Sequence, residues 1–195
     1  MNRFKAPFAF LLPAAMLAIS APAVAQQSDA GWYVGGAYGM SSFSVDMAGA
    51  PSTVTVDDSD SGFKIYGGFQ FNKHLGAEVG YVDFGKVGFG GSAFGFPVTG
   101  DTGVTAFTVA GVGTLPLNES FALFGKIGLW SWSAKGNATA GAVSISSDDS
   151  GSDVFYGIGA RYNMNKNWGL TLELENYDTD TDSVMLTSFG VRYKF

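Results

Sequence analysis

The 195 residues suffice for one domain of ordinary size, and the absence of cysteine excludes disulfides and thiolate metal sites. Charged residues are only 14%, against about 25% in ordinary soluble domains, while glycines number 28 and aromatics reach 15%; this suits a chain whose outer surface is not all in water. The net charge of −6 argues against nucleic acid as a partner, which calls for a basic surface.

The chain starts with a segment to be set aside. "MNRFK" carries Arg3 and Lys5, "FAFLLPAAMLAIS" is a short apolar run broken by Pro13, and "AVA" ends at Ala25. This pattern predicts a secretory signal peptide over residues 1–25, cleaved after Ala25. The run is too short to cross the roughly 30 Å of bilayer hydrocarbon as a helix. Its removal leaves 9 basic residues (11 less 2) against 17 acidic ones, a net of −8. No later stretch has about 18 consecutive apolar residues, so no transmembrane helix is expected. Residues 26–195 are expected to form one exported barrel domain.

From residue 31 onward apolar and polar residues alternate, with no sustained helical period. Eight runs of roughly ten residues are read as strands: 31–43, 62–71, 75–84, 103–114, 121–132, 153–163, 168–177 and 183–195. The second puts Phe63, Ile65, Phe69 and Phe71 opposite Lys64, Tyr66 and Gln70. The third puts Leu75, Ala77, Val79 and Tyr81 opposite Glu78 and Gly80. The fourth carries no charge, so its faces stay unassigned. In the fifth, Leu123, Ile127 and Leu129 oppose Lys126, yet Phe124 and Trp130 share the lysine's face. The sixth sets Val154, Tyr156, Ile158 and Tyr162 against Gly157, Gly159 and Arg161. The seventh is the clearest, with Trp168, Leu170, Leu172 and Leu174 opposite Thr171, Glu173 and Glu175. In the eighth, Met185, Thr187, Phe189, Val191, Tyr193 and Phe195 alternate with Ser188, Gly190, Arg192 and Lys194.

Connections after the second, fourth and sixth runs are short ("NKH", "LPLNES", "MNKN"), whereas 44–61, 85–102 and 133–152 are long loops; the last, "DTDTD", is short and polar. Strict alternation of short and long connections predicts an all-β, eight-stranded antiparallel up-and-down transmembrane barrel, with tight periplasmic turns and longer external loops. A Lys or Arg facing lipid at mid-depth costs about 2–4 kcal/mol, and several would exceed the roughly 5–15 kcal/mol stability of a typical domain. The charged face is therefore assigned to the lumen. A soluble barrel, with the faces inverted, is the structural alternative. Lipid tolerates no open sheet edge, so the last strand is expected to pair with the first.

With these segments in hand, the chain resembles the transmembrane barrel of the outer membrane protein A family. "GWYVGGAYGMSSF", "GGFQFNKHLGAEVGYVDFG", "TLPLNESFALFGKIGL" and "SFGVRYKF" carry the resemblance, which spans residues 31–195. The resemblance implies that Phe189, Val191, Tyr193 and Phe195 form a signal read by the barrel assembly machinery during insertion. The plainer reading makes them a lipid-facing edge that closes the barrel. Larger relatives continue into a peptidoglycan-binding domain; with the last residue at Phe195, that role is not expected here. The other partners implied are outer-membrane lipids and lipopolysaccharide, around a monomer in a Gram-negative type of outer membrane.

Parity projects Lys64, Glu78, Lys126, Arg161, Glu173, Glu175 and Arg192 into a lumen just wide enough for side chains. Unpaired charges there are costly, so they are expected to form a network: either a sealed, self-satisfied core, or a gate whose switching ion pairs open a narrow conductance. Trp32, Tyr162, Trp168, Tyr193 and Phe195 are read as a periplasmic girdle, and Phe43, Phe63, Tyr81, Trp130, Trp132, Tyr156 and Tyr177 as an outer one. Asp57, Asp58, Asp60, Asp148, Asp149, Asp178, Asp180 and Asp182 lie in external loops and read as solvated; they lack the spacing of a calcium loop. Phe89, Phe94 and Phe96 sit in a glycine-rich second loop suited to an apolar ligand, a partner or the outer leaflet. The one histidine, His74, falls in a periplasmic turn, the wrong end for lipid acyl chemistry. No catalytic set, cofactor or metal site is expected. The expected role is structural: membrane integrity and surface presentation of loops. A narrow porin-like channel and an adhesin are the rivals.

Overall fold

The computed structural model describes residues 30–44, 55–57, 59–93, 96–140, 143–179 and 183–195. The expected leader and its cleavage site after Ala25 lie outside these, as do Asp58, Phe94, Asp180 and Asp182. The strands are β1 (Gly31–Ser44), β2 (Thr55–Asp57), β3 (Ser59–Gln70), β4 (Leu75–Ala93), β5 (Phe96–Pro116), β6 (Phe121–Ala140), β7 (Val143–Asn163), β8 (Trp168–Asp178) and β9 (Ser183–Lys194). Eight of them form a ring of antiparallel neighbours: β1, β3, β4, β5, β6, β7, β8 and β9 in turn. The ring closes where β9 pairs with β1, from Tyr33↔Lys194 to Ser44↔Ser183. Every backbone donor and acceptor in the wall thus has a neighbouring strand, as hydrocarbon demands.

Alternation sets which side chains point out. Val34, Tyr38, Met40, Ile65, Val79, Phe107, Val109, Ile127, Leu129, Ile158, Leu172 and Phe189 are all exposed on the outer wall. The faces read from charge parity are those observed. β5, whose residues 103–114 carry no charge to orient them, turns Phe107, Val109 and Leu115 outward and buries Ala106, Thr108, Ala110, Val112 and Thr114. On β3 the apolar outer row begins at Phe63, so Asp60 stands beyond the membrane-crossing part. Inward space is made by glycine: at Gly68 a Cβ would lie 2.5 Å from the Tyr33 hydroxyl.

Three turns at one end share one device. Asn72, Asn118 and Asn165 each accept, through the side-chain oxygen, the N–H groups two and three residues on: His74 and Leu75 (2.8 and 2.9 Å), Ser120 and Phe121 (2.9 and 2.8 Å), Asn167 and Trp168 (2.9 and 2.8 Å). These are Asx turns, in which a short polar side chain mimics a backbone turn.

The other end corrects the strand boundaries. Residues 85–102 and 133–152, read from sequence as long loops, are mostly strand. β4 and β5 pair out to Ala93↔Phe96, and β6 and β7 out to Ala140↔Val143. β5 has 21 residues, whereas a strand crosses a bilayer in about 9–11. Roughly half of β5 therefore stands clear of the membrane. β2, β4, β5, β6 and β7 continue as a five-stranded sheet outside the barrel. Asp148 and Asp149 lie on β7, not in a loop. The reason the pattern hid this is physical: Ser144 to Ser150 are all exposed, and a strand wet on both faces has no burial to impose alternation. The extension starts at a bulge between Asp83 and Lys86, where Gly85 takes φ 77°. Asp60 braces that bulge, accepting the N–H of Lys86 at 2.8 Å and of Ser61 at 2.7 Å.

Candidate functional site

The lumen is closed twice along its length. Nearer the short turns lies an ionic layer. Lys64 on β3 donates to Glu173 at 2.7 Å and Glu175 at 2.6 Å, both on β8. Lys126 on β6 donates to Glu78 on β4 at 2.6 Å and to Glu173 at 2.7 Å. Its ammonium is also 3.8 Å from Glu175. The Tyr33 hydroxyl donates to the second Glu78 oxygen at 3.1 Å. Both ammonium groups lie over the Tyr66 ring, at 5.4 and 5.1 Å from its centroid. Five strands, β1, β3, β4, β6 and β8, are thereby tied across the axis by side chains that are almost fully buried. Buried ions persist only with such partners, since the desolvation of each costs several kcal/mol.

Arg161 and Arg192 do not join this layer. Among the described residues no carboxylate lies within ion-pair distance of either. They sit one step toward the short turns. Arg192 stacks 3.8 Å from the Tyr33 ring and reaches Gln70 at 3.4 Å; Arg161 lies 6.0 Å from the Phe124 ring. Between arginines and ionic layer the free space is about 10 Å³, no more than one water requires.

Toward the outer end the lumen is filled by rings. Tyr177 stacks on Phe155 at 4.9 Å, edge-on to Phe84 at 4.8 Å and to Trp130 at 5.2 Å. Val82, Ala106, Ala110, Val184 and Leu186 complete this cluster, with Phe43 and Trp132 packed against it. Trp130 Nε1 donates to the Asp178 carbonyl at 2.9 Å. This corrects the outer girdle: Phe43, Trp130, Trp132 and Tyr177 plug the lumen instead of meeting lipid. Phe63 and Tyr156 do face outward, and Tyr81 packs 5.3 Å from Phe107 on that face. Phe84 and Phe155 were missed, although two-residue counting from Glu78 and Arg161 puts both inside. Tyr33 had no signal, because β1 carries no charge to orient it.

On the outer wall near the short turns, Trp32 packs on Phe69 at 5.0 Å, Phe121 on Tyr162 at 4.9 Å, and Trp168 on Tyr193 at 4.9 Å. Phe195 packs on Tyr193 at 5.1 Å, and its N–H donates to the Trp32 carbonyl at 3.0 Å. Phe189, Val191 and Phe195 point away from the lumen. His74 lies in the first short turn, Nδ1 3.1 Å from the Thr114 carbonyl oxygen. Among the described residues no cluster of three His, Asp or Glu side chains could hold a metal ion.

The profile of the outer membrane protein beta-barrel domain matches residues 11–195. Outer membrane protein A of Yersinia pseudotuberculosis is 27% identical over 202 residues, which cover 96% of this chain and 55% of that protein. That of Klebsiella pneumoniae is also 27% identical, over 88% of this chain and 53% of its own length. The chain thus spans about half the length of the curated relatives it matches. Among solved structures, Ail, the attachment invasion locus protein of Yersinia pestis, superposes with a TM-score of 0.59 at 22% identity, over 85% of this chain and 99% of that one. OprG of Pseudomonas aeruginosa gives 0.57 at 14% identity, over 84% and 96%. These structural likenesses are of fold. The relatives are outer-membrane barrel proteins, and none of these is named as an enzyme.

Proposed function

The chain belongs to the outer membrane protein beta-barrel family, an integral barrel of the Gram-negative outer membrane, and from that premise we propose that it works as a sealed anchor carrying a sheet at the cell surface. The observation that supports this most is the double closure of the lumen. An ionic layer with space for about one water is backed by an aromatic plug. Together the two layers oppose the passage of water and ions along the axis. The exposed apolar band is taken up by lipid, and in this family the short turns face the periplasm while the longer ends face outward. The five-stranded projection is then the part that meets the surroundings.

Single-channel recording of the refolded protein in planar bilayers tests the seal. The expected trace is flat. Stable open events that vanish in Lys126→Ala or Glu173→Ala would establish the ionic layer as a gate and overturn the sealed reading.

The projection supports a second reading, adhesion. About half of β5 and its neighbours is committed to structure beyond the bilayer. The fold neighbour Ail is itself named for attachment and invasion. Deleting the outer halves of the β4–β5 and β6–β7 hairpins one at a time, then measuring binding of barrel-bearing cells to host cells, tests this. Unchanged binding in both would end it.

A further inference from the structure

The ionic layer leaves a charge problem on its periplasmic side. It holds two ammonium groups and three carboxylates. With Arg161 and Arg192 just beyond it, the described residues of these two layers hold four cations against three anions. Below them opens a vestibule of about 640 Å³, lined by both arginines, by Lys73, Lys166 and Lys194 and, as the one acid among the described residues of the lining, by Glu119. The chain as a whole is acidic at −6, so this concentration of cations runs against the composition. Arg192 is only 7% exposed, and its Nε has no hydrogen-bond partner; the Arg161 Nε is likewise buried and unpartnered. A buried guanidinium donor without an acceptor is costly. Tyr33 and Phe124 hold the two planes in place from behind through ring contacts; at the edges, Arg192 Nη2 donates to Gln70 Oε1 at 3.4 Å, while both Nε donors are left over.

We propose that the periplasmic vestibule is a binding site for a phosphate-class anion, held by Arg161 and Arg192 and steered in by the lysines of the rim. A guanidinium offers paired N–H groups matched to phosphate oxygens, and two arginines at one blind end supply the charge that a dianion needs. The volume falls within the roughly 300–1,000 Å³ range of small-molecule sites, larger than bare phosphate needs; a phosphorylated small molecule or a lipid headgroup shares the same chemistry.

The test follows the arginine Nε–Hε resonances of the full chain in phosphatidylcholine nanodiscs during titration with inorganic phosphate, at constant ionic strength set by sodium chloride. Two resonances are expected to shift saturably. Arg192→Gln should weaken the apparent Kd by about tenfold or more, and Lys166→Gln, on the exposed rim, by about twofold. Far-UV circular dichroism confirms that each variant is folded, and the Lys166 variant keeps the test alive if Arg192→Gln is not. Replacing a third of the lipid by phosphatidylglycerol separates the sources. Resonances already at their bound positions without phosphate assign the site to a headgroup; unchanged positions assign it to a soluble phosphate. No saturable shift, or one that chloride reproduces or that survives in Arg192→Gln unchanged, would overturn the proposal.

Discussion

Single residues carry unequal weight in this barrel. Glu173 accepts from both lysines of the ionic layer, so its removal leaves two buried ammonium groups short of a partner. Breaking a buried pair costs about 3–5 kcal/mol. Glu173→Ala should lower stability by about that much in urea unfolding, and the joint replacement of Lys64, Lys126, Glu78, Glu173 and Glu175 by apolar residues of similar volume should restore most of it. Asp60 acts outside the membrane. The N–H groups of Lys86 and Ser61 hold its carboxylate below the usual aspartate range. A lowered folded value means that its bracing of the bulge is present above the ordinary value of about 3.9 and is lost as pH falls through the lowered one. The Lys86 amide resonance should therefore move on acidification below about pH 4, and be pH-insensitive there in Asp60→Asn. Gly85 beside it takes a left-handed φ, and a Cβ would meet Asp60 Oδ2 at 2.6 Å. Gly85→Ala should cost about 1–2 kcal/mol and loosen the projection before the barrel.

Elements differ in how they were written. β8 is legible from Trp168 to Tyr177 because lipid on one side and ions on the other impose strict alternation. β6 is the case where hydrophobicity misleads. Trp130 reads as lipid-facing by type and lumen-facing by its spacing from Lys126, and spacing wins because the wall's pleat fixes the side. The same count places Tyr177, two residues after Glu175, inside. The outer halves of β4 to β7 were illegible for a different reason: water on both faces removes the periodic signal, and backbone pairing alone defines them. The pairing of particular charges was not legible either, since Lys64 meets Glu173 across 109 positions of sequence and parity gives a side but no height. The plug element yields its own expectation. Trp130→Ala should cost about 3–5 kcal/mol yet leave bilayer conductance flat, because the ionic layer still closes the lumen. Each Asx turn is separable too: Asn118→Ala should cost about 1–2 kcal/mol for its two hydrogen bonds, with the neighbouring turns unaffected.

At the scale of the whole molecule, three zones follow one another along the axis: cations at the periplasmic mouth, hydrogen-bonded ion pairs in the middle, rings at the outer end. The ring of strands has no free rim inside the bilayer, but the projection does. Among the described residues, β7 pairs with β6 alone from Val143 to Val154, and its pairing with β8 begins at Phe155. A bare strand of that length on a crowded cell surface is a template for fibre growth between copies. Asp148, Asp149 and Asp153 stand along it, and like charges brought face to face by such stacking would repel. Asp148 and Asp149 are exposed and solvated at no cost in the monomer, and their conflict in an aggregate makes this stretch a guard against self-association.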